Sequence, residues 1–407
     1  MKRLLKLTLA LALAAAAACA SAQTTDLSGG TSPGGVKEPY PIPAPPPVPP
    51  VVDHSHEGPT LDTSKIPAPA AGFSTVRIES ARIDPLGFYD PTKGRDVPGV
   101  GCTGWKTGFC QTPLLAPYNC VIGLHCQVRA GYETPLGGEA GAFRVTATVA
   151  KIARDDPIVY AGQPGASHWH TFYGATSVSA ATTTLVGCSS STYVGGTANC
   201  STAWVPTLVD TATGAPVLLG LNTYYKTDYN LPLAARPNVQ AIPADLRMVS
   251  GNAMNTDPTK TGAAYHCVAG SVDPGFSTTI ARAVAKGTCV AGARFYMTVT
   301  FPGCWDGVNL DSPNHASHVA SPSAGACPRG WVQIPVVTLQ LSTVIPAGAN
   351  VSKWRLASDP PTVEAGTSGH GDYWSAWRPE VEAVWLTNCV AGMRSAQNAL
   401  CDGRTLY

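Results

Sequence analysis

"FRVTATV", Phe143–Val149, places apolar side chains at every second position, with Arg144, Thr146 and Thr148 between them. A period of two belongs to a half-buried strand, because successive side chains point to opposite faces. "RFYMTVTF" (Arg294–Phe301) and "VEAVWL" (Val381–Leu386) carry the same alternation. "WVQIPVVTLQL" (Trp331–Leu341) is an apolar strand interrupted by Pro335, expected at an edge or a bulge because proline donates nothing to a ladder. Turn-forming clusters such as "PGAS" (164–167) and "DGVN" (306–309) separate these runs, and one helix is expected, at Asn388–Leu400. The fold class that follows is mainly β: an antiparallel sandwich or jelly-roll-like single domain with long disulfide-stapled loops and a short C-terminal helix.

The rest of the composition agrees. Gly (41) and Pro (36) are abundant in the 407 residues and only 13% are charged, which suits a loop-rich β protein. Lys and Arg total 27 against 26 Asp and Glu, with no basic stripe, so nucleic acid is not an expected partner. The chain opens with Lys2, Arg3 and Lys6, an apolar run from Leu7 to Ala18, and Ala20-Ser21-Ala22. That is the pattern of a signal peptide over residues 1–22 and predicts a secreted or periplasmic protein. A lipoprotein reading through Cys19 ranks second, because the large apolar residue usual three positions earlier is missing. No later stretch reads as transmembrane. Residues 23–72, with "PYPIPAPPPVPP", are expected to be an extended, disordered proline-rich linker, and 73–407 the β domain.

Without Cys19, twelve of the 13 cysteines remain, an even number in an exported chain. Near neighbours suggest the pairs Cys102/Cys110, Cys120/Cys126, Cys188/Cys200, Cys267/Cys289, Cys304/Cys327 and Cys389/Cys401, although spacing alone does not fix connectivity.

Three segments carry the chemistry. In "SHWHTFYG" (Ser167–Gly174), His168 and His170 share one face of an extended chain, ~6.5–7 Å apart along it, and could grip one metal ion. An HxH pair also simply hydrogen-bonds its neighbours in many folds, and a transition-metal site needs three or four ligands. "CWDGVNLDSPNHASHVASP" (Cys304–Pro322) offers Asp311, His315 and His318, with His318 the expected third ligand. Against this, aspartates in such loops commonly cap turns. "GTSGHGDYWSAW" (Gly366–Trp377) offers His370 and Asp372 beside Tyr373, Trp374 and Trp377, rings that could stack on sugar or simply fill a core. It misses the G-x-S-x-G elbow because His370 stands where glycine is required. Patterns for nucleotide cofactors are absent.

These segments, with "DDPIV" (Asp155–Val159), "CSSSTY" from Cys188, Tyr224–Tyr225, Arg247–Met248, "GACP" (Gly325–Pro328), Ile334–Pro335 and "HGD" (His370–Asp372), resemble a family of secreted fungal and bacterial proteins, the domain of unknown function DUF1996, over about 144–401. The resemblance implies secretion and, since fungal relatives often carry wall-binding modules, a polysaccharide partner. It brings no established reaction. This chain departs from the pattern at Trp331, where a histidine is common, and at Ala203-Trp204, where Tyr-Trp is usual.

The expected function is therefore action on an extracellular or cell-wall polysaccharide by a hydrolase or lyase. The candidate catalytic residues are Asp311, His315, His370, Asp372, Tyr225 and Arg247, and His168, His170 and His318 would hold one divalent transition metal. In a version that needs no metal, a histidine or Tyr225 moves protons and Arg247 neutralises a carboxylate. A non-catalytic carbohydrate- or metal-binding wall protein is the alternative, and histidines that merely satisfy a disulfide-rich core are the third reading.

Overall fold

A computed structural model describes residues 58–80, 141–402 and 404–407, together with the backbone of the short strands Gly87–Asp90, Arg95–Pro98 and Thr134–Pro135. The strands that build the body are β1 (Ala142–Ala147), β2 (Val149–Ala153), β3 (His170–Gly174), β4 (Thr202–Pro206), β5 (Gly220–Lys226), β6 (Arg247–Gly251), β7 (Ala263–Val268), β8 (Arg294–Thr300), β9 (Val336–Val344), β10 (His370–Trp374) and β11 (Arg394–Gln397). A seven-stranded sheet runs β7-β8-β9-β5-β1-β11 and ends on Thr134–Pro135, and a five-stranded sheet runs β6-β10-β4-β3-β2. Pairing within both sheets is antiparallel except between β11 and β1.

Alternation explains the large sheet. Tyr265, Met297, Leu341, Leu221 and Ala147 form one cross-strand row over five strands, and all are buried. They share one core with Tyr173, Ala203, Val205, Met248 and Tyr373 from the small sheet, so the two sheets pack face to face. Gly371 allows the close approach, since a Cβ there would stand 3.2 Å from Val299 Cγ1.

The small sheet is buried on both faces. β3, β4 and β10 have no exposed residue, and a second cluster of Ile158, Phe172, Val178, Leu185, Trp204 and Trp374 covers the face turned away from the large sheet. Of the functional candidates, His170, His370, Asp372 and Arg247 lie on this outer face.

Four disulfides join the expected neighbours: Cys188–Cys200, Cys267–Cys289, Cys304–Cys327 and Cys389–Cys401. Cys102, Cys110, Cys120 and Cys126 lie outside the described residues. Among those residues, no helix is long and apolar enough to cross a membrane.

The structure departs from local expectation in five places. Val381–Leu386 is not a strand: α2 (Pro379–Trp385) occupies it, started by Pro379 with Glu380 and Glu382 in its first turn, where the helix dipole favours acids. The expected short C-terminal helix is present but lies earlier than Asn388–Leu400: the helical stretch ends in a π turn, Leu386–Ala391, and Arg394–Gln397 is β11. A helix missed from the sequence, α1 (Ile280–Ala285), starts where Thr279 accepts a hydrogen bond from the Arg282 N–H. The strand carrying Pro335 is central, because β9 begins one residue later and the proline stays out of the ladder. Finally, residues 58–72, placed in the linker by composition, pack on the body. Leu61 is buried, the Asp62 N–H bonds the Gly214 carbonyl, and the Ala70 N–H bonds that of Ala150.

Candidate metal centre and its acid neighbours

β3 and β10 are separated by β4. His170 lies opposite Pro206 of β4, and Asp372 of β10 lies opposite Trp204, which brings His370, two residues back, level with Pro206 from the other side. The two histidines thus stand on either side of Pro206 on the same face of the sheet. His168 reaches the same place from the extended segment entering β3. The ring centroids stand 4.2 Å (His168–His170), 5.0 Å (His168–His370) and 5.8 Å (His170–His370) apart. One ring nitrogen from each lies within 4.8 Å of the others, so the three could hold a metal ion.

The outer contacts of two of these rings are defined. His170 Nδ1 donates to the Asp155 carbonyl at 2.9 Å, and His370 Nδ1 donates to the Ser368 carbonyl at 2.7 Å. A carbonyl only accepts, so each Nδ1 carries the hydrogen and each neutral ring keeps its lone pair on Nε2. Metal-binding imidazoles are held in this way. Burial, joined at His170 by the neighbouring His370, lowers the His170 pKa to about 3, and burial lowers that of His370 to about 4. His170 Nε2, in a residue with no exposed surface, has no hydrogen-bond partner among the described residues.

A buried aspartate organises the arrival of His370. Asp359 Oδ1 accepts from Ser368 N and Oγ, and Oδ2 accepts from Leu356 N and Gly366 N. That fixes the turn whose Ser368 carbonyl orients the His370 ring.

Two more acids lie on this face. Asp372 is 1% exposed, and neither carboxyl oxygen has a partner among the described residues; burial, then the charge of Asp156, pushes its pKa well above the ordinary value. Asp156 follows the residue that holds His170. Burial raises its carboxyl to about 6 against the N–H groups of Val159 and Ile158, which donate to Oδ1.

The Cys304–Cys327 loop covers β6 at the edge of the sheet, where Arg247 N and Val249 N bond the carbonyls of Leu310 and His315. His315 has a left-handed backbone (φ 53°), and its Nδ1 bonds Asp311 Oδ1 at 2.9 Å. Partial burial pushes Asp311 up, but the His315 hydrogen bond and charge and the Arg247 guanidinium, 3.7 Å away, hold it below its ordinary value. The charge of His315 also reaches Asp156, which links the loop to the acids on the sheet.

Two sequence-predicted roles move. His318 does not join the other histidines: Nδ1 bonds Ser312 Oγ at 2.9 Å and Nε2 donates to the Arg247 carbonyl at 2.7 Å, so both nitrogens are engaged. His370 takes its place beside His168 and His170. Tyr225 lies in the core between the sheets, fully buried, its hydroxyl 3.1 Å from that of Tyr373, and faces away from this centre. Tyr373, Trp374 and Trp377 are buried too and offer no face to a sugar.

The model of a domain of unknown function, DUF1996, matches residues 156–377, more than half of the chain. The protein belongs to the DUF1996 family. The matched span contains all three clustered histidines, Asp156, Asp372, Arg247 and the Asp311–His315 pair, so this face is part of the DUF1996 region itself. Comparison with curated proteins and with solved structures found no match. Asp156 and Asp359 were missed from the sequence. "DDPIV" singled out the first only as part of a resemblance, and nothing in "ASDPPTVEAG" marks Asp359 as the buried anchor of a turn.

Proposed function

We propose that this DUF1996 protein is an exported, metal-dependent enzyme, a hydrolase or lyase of extracellular polysaccharide. His168, His170 and His370 would hold its divalent transition metal. The observation that carries this reading is the convergence of three imidazoles, two of them with Nδ1 tied to carbonyls, which leaves their lone pairs on Nε2. Three histidines leave an open position on the metal, the arrangement that suits catalysis better than a closed structural site. The metal would polarise a substrate oxygen or acidify a water.

The chain's own groups would do the rest. His315, oriented through Nδ1 by Asp311, presents Nε2 as a base, the logic by which an acid orients a catalytic histidine. The side chains of His315 and Arg247 are 25% and 27% exposed, so substrate can reach them. Export is supported by the signal-peptide pattern and by four disulfides, and the polysaccharide by the export of a chain with a proline-rich stem.

A non-catalytic metal binder is the second reading, favoured by the burial of His170 and His370. Elemental analysis of protein purified without a histidine tag tests the metal. Incubation with wall polysaccharides, assayed for new reducing ends and unsaturated products, tests the reaction. Metal without product selects the binder, and no metal at saturating Zn²⁺, Cu²⁺ or Co²⁺ removes both readings.

A further inference from the structure

Asp372 and Trp204 are direct cross-strand partners on β10 and β4. Residues so placed have Cβ atoms ~4.5–5.5 Å apart. One carries two acceptor oxygens and the other an indole N–H donor, both residues are at most 1% exposed, and both groups are without a hydrogen-bond partner among the described residues. A buried acceptor and a buried donor at paired positions, neither with a bond, are costly unless something satisfies them. His170 Nε2 is a third orphaned atom on the same face, one strand further along. His370 and Asp372 sit two residues apart on one strand, so both rise from the same side of the sheet.

One set of occupants gives each of these three residues a partner. A cation takes the imidazole nitrogens, and a neutral hydroxyl in its open position donates to Asp372 and accepts from Trp204. We infer that Asp372 and Trp204 form the recognition site for the ligand in the metal's open position, and that they select a hydroxyl donor, water or the O–H of a polyol, over an anion. The inference rests on the metal reading above. Asp372 is then a positioning residue. Its two oxygens, without a partner among the described residues, call for a donor, which an anion does not offer. Trp204 acts in the opposite sense, because its N–H favours a ligand with a lone pair.

The test uses full-length protein purified without a tag, stripped with chelator and reloaded with Co²⁺, whose visible spectrum reports changes at the open position. Azide is the anionic probe and sorbitol the polyol. Wild type, Asp372→Asn and Trp204→Phe are each expected to bind one Co²⁺ per chain. Azide should bind Asp372→Asn at least tenfold more tightly than wild type, and Trp204→Phe several-fold more weakly. A sorbitol-dependent spectral change in wild type, lost in Asp372→Asn, would assign the position to a polyol hydroxyl; its absence would assign it to water. Azide affinities equal within twofold in all three proteins, with cobalt bound, overturn the inference and leave the metal centre standing. A wild type that takes up no cobalt overturns the metal centre and this inference with it. If Asp372→Asn fails to fold, the opposite shift expected in Trp204→Phe still decides.

Discussion

His170 and His370 belong to strands that do not pair with each other, yet their ring centroids are 5.8 Å apart across Pro206. Each is steered by a carbonyl from a different loop, Asp155 on one side and Ser368 on the other. Metal uptake at the proposed centre would therefore depend on both strands at once. His170→Ala and His370→Ala should each abolish stoichiometric uptake of Zn²⁺ or Co²⁺, measured by elemental analysis after gel filtration. His318→Ala should retain it, because His318 serves the Ser312 hydroxyl and the Arg247 carbonyl. In thermal melts, metal at 100 times its Kd should stabilise wild type by ~2.7 kcal/mol, and neither His170→Ala nor His370→Ala should respond.

Tyr225 gives the converse test. Its hydroxyl contributes one buried hydrogen bond, to Tyr373, in the interior between the sheets. Tyr225→Phe should keep metal stoichiometry and any turnover at wild-type levels while costing about 1 kcal/mol in urea denaturation. A hundredfold loss of turnover with the fold intact would return Tyr225 to the site.

What was legible in the sequence follows from how each strand is buried. Ala142–Ala147 and Arg294–Thr300 have one face in the core and one toward solvent, so alternation announces them. "HTFYG", "TAWVP" and "HGDYW" are covered on both sides and show no alternation, although they carry the site. The HxH spacing of His168 and His170 was readable because it is local. The third histidine was misassigned because only the β3-β4-β10 order places His370 there and leaves His318 on the covering loop. Asp156 and Asp359 were invisible for the same reason: their burial is decided by strands far away in sequence.

Glu382 supplies a pH test outside the site. Burial raises its carboxyl to about 7 from an ordinary 4.5, against the Ile242 N–H that donates to Oε1 at 2.8 Å. Below pH 4.5 the folded and unfolded chains both hold this proton. Between 4.5 and about 7 the unfolded chain releases it while the folded chain keeps it, so stability falls as pH rises; above 7 the loss is constant. Gln keeps the acceptor for Ile242 and has no charge to bury. The stability of Glu382→Gln relative to wild type should therefore grow from pH 4 to pH 8, by about 3 kcal/mol at ~1.4 kcal/mol per pH unit. Parallel denaturation curves at the two pH values check it, and a difference that shrinks with pH would mean that Glu382 is ionised in the fold.

Asp359 links stability to the proposed metal centre. Its two oxygens accept four hydrogen bonds, from Leu356 N, Gly366 N, and Ser368 N and Oγ, with no exposed surface. Asp359→Asn keeps the shape but leaves one oxygen, so two donors face an NH₂ group and lose their acceptor. Hydrogen bonds to a charged group contribute roughly 1.5–3 kcal/mol each, so a loss of about 3 kcal/mol or more is expected. Ser368→Ala removes only the hydroxyl, which also bonds Ser358 Oγ at 2.6 Å, and should cost about 1 kcal/mol. The damage should reach the metal in the same order, because the Ser368 carbonyl orients the His370 ring. Cobalt affinity, measured below the melting temperature of each variant, should fall at least tenfold in Asp359→Asn and little in Ser368→Ala. A destabilised Asp359→Asn that binds cobalt like wild type would show that the turn supports the fold without positioning the histidine.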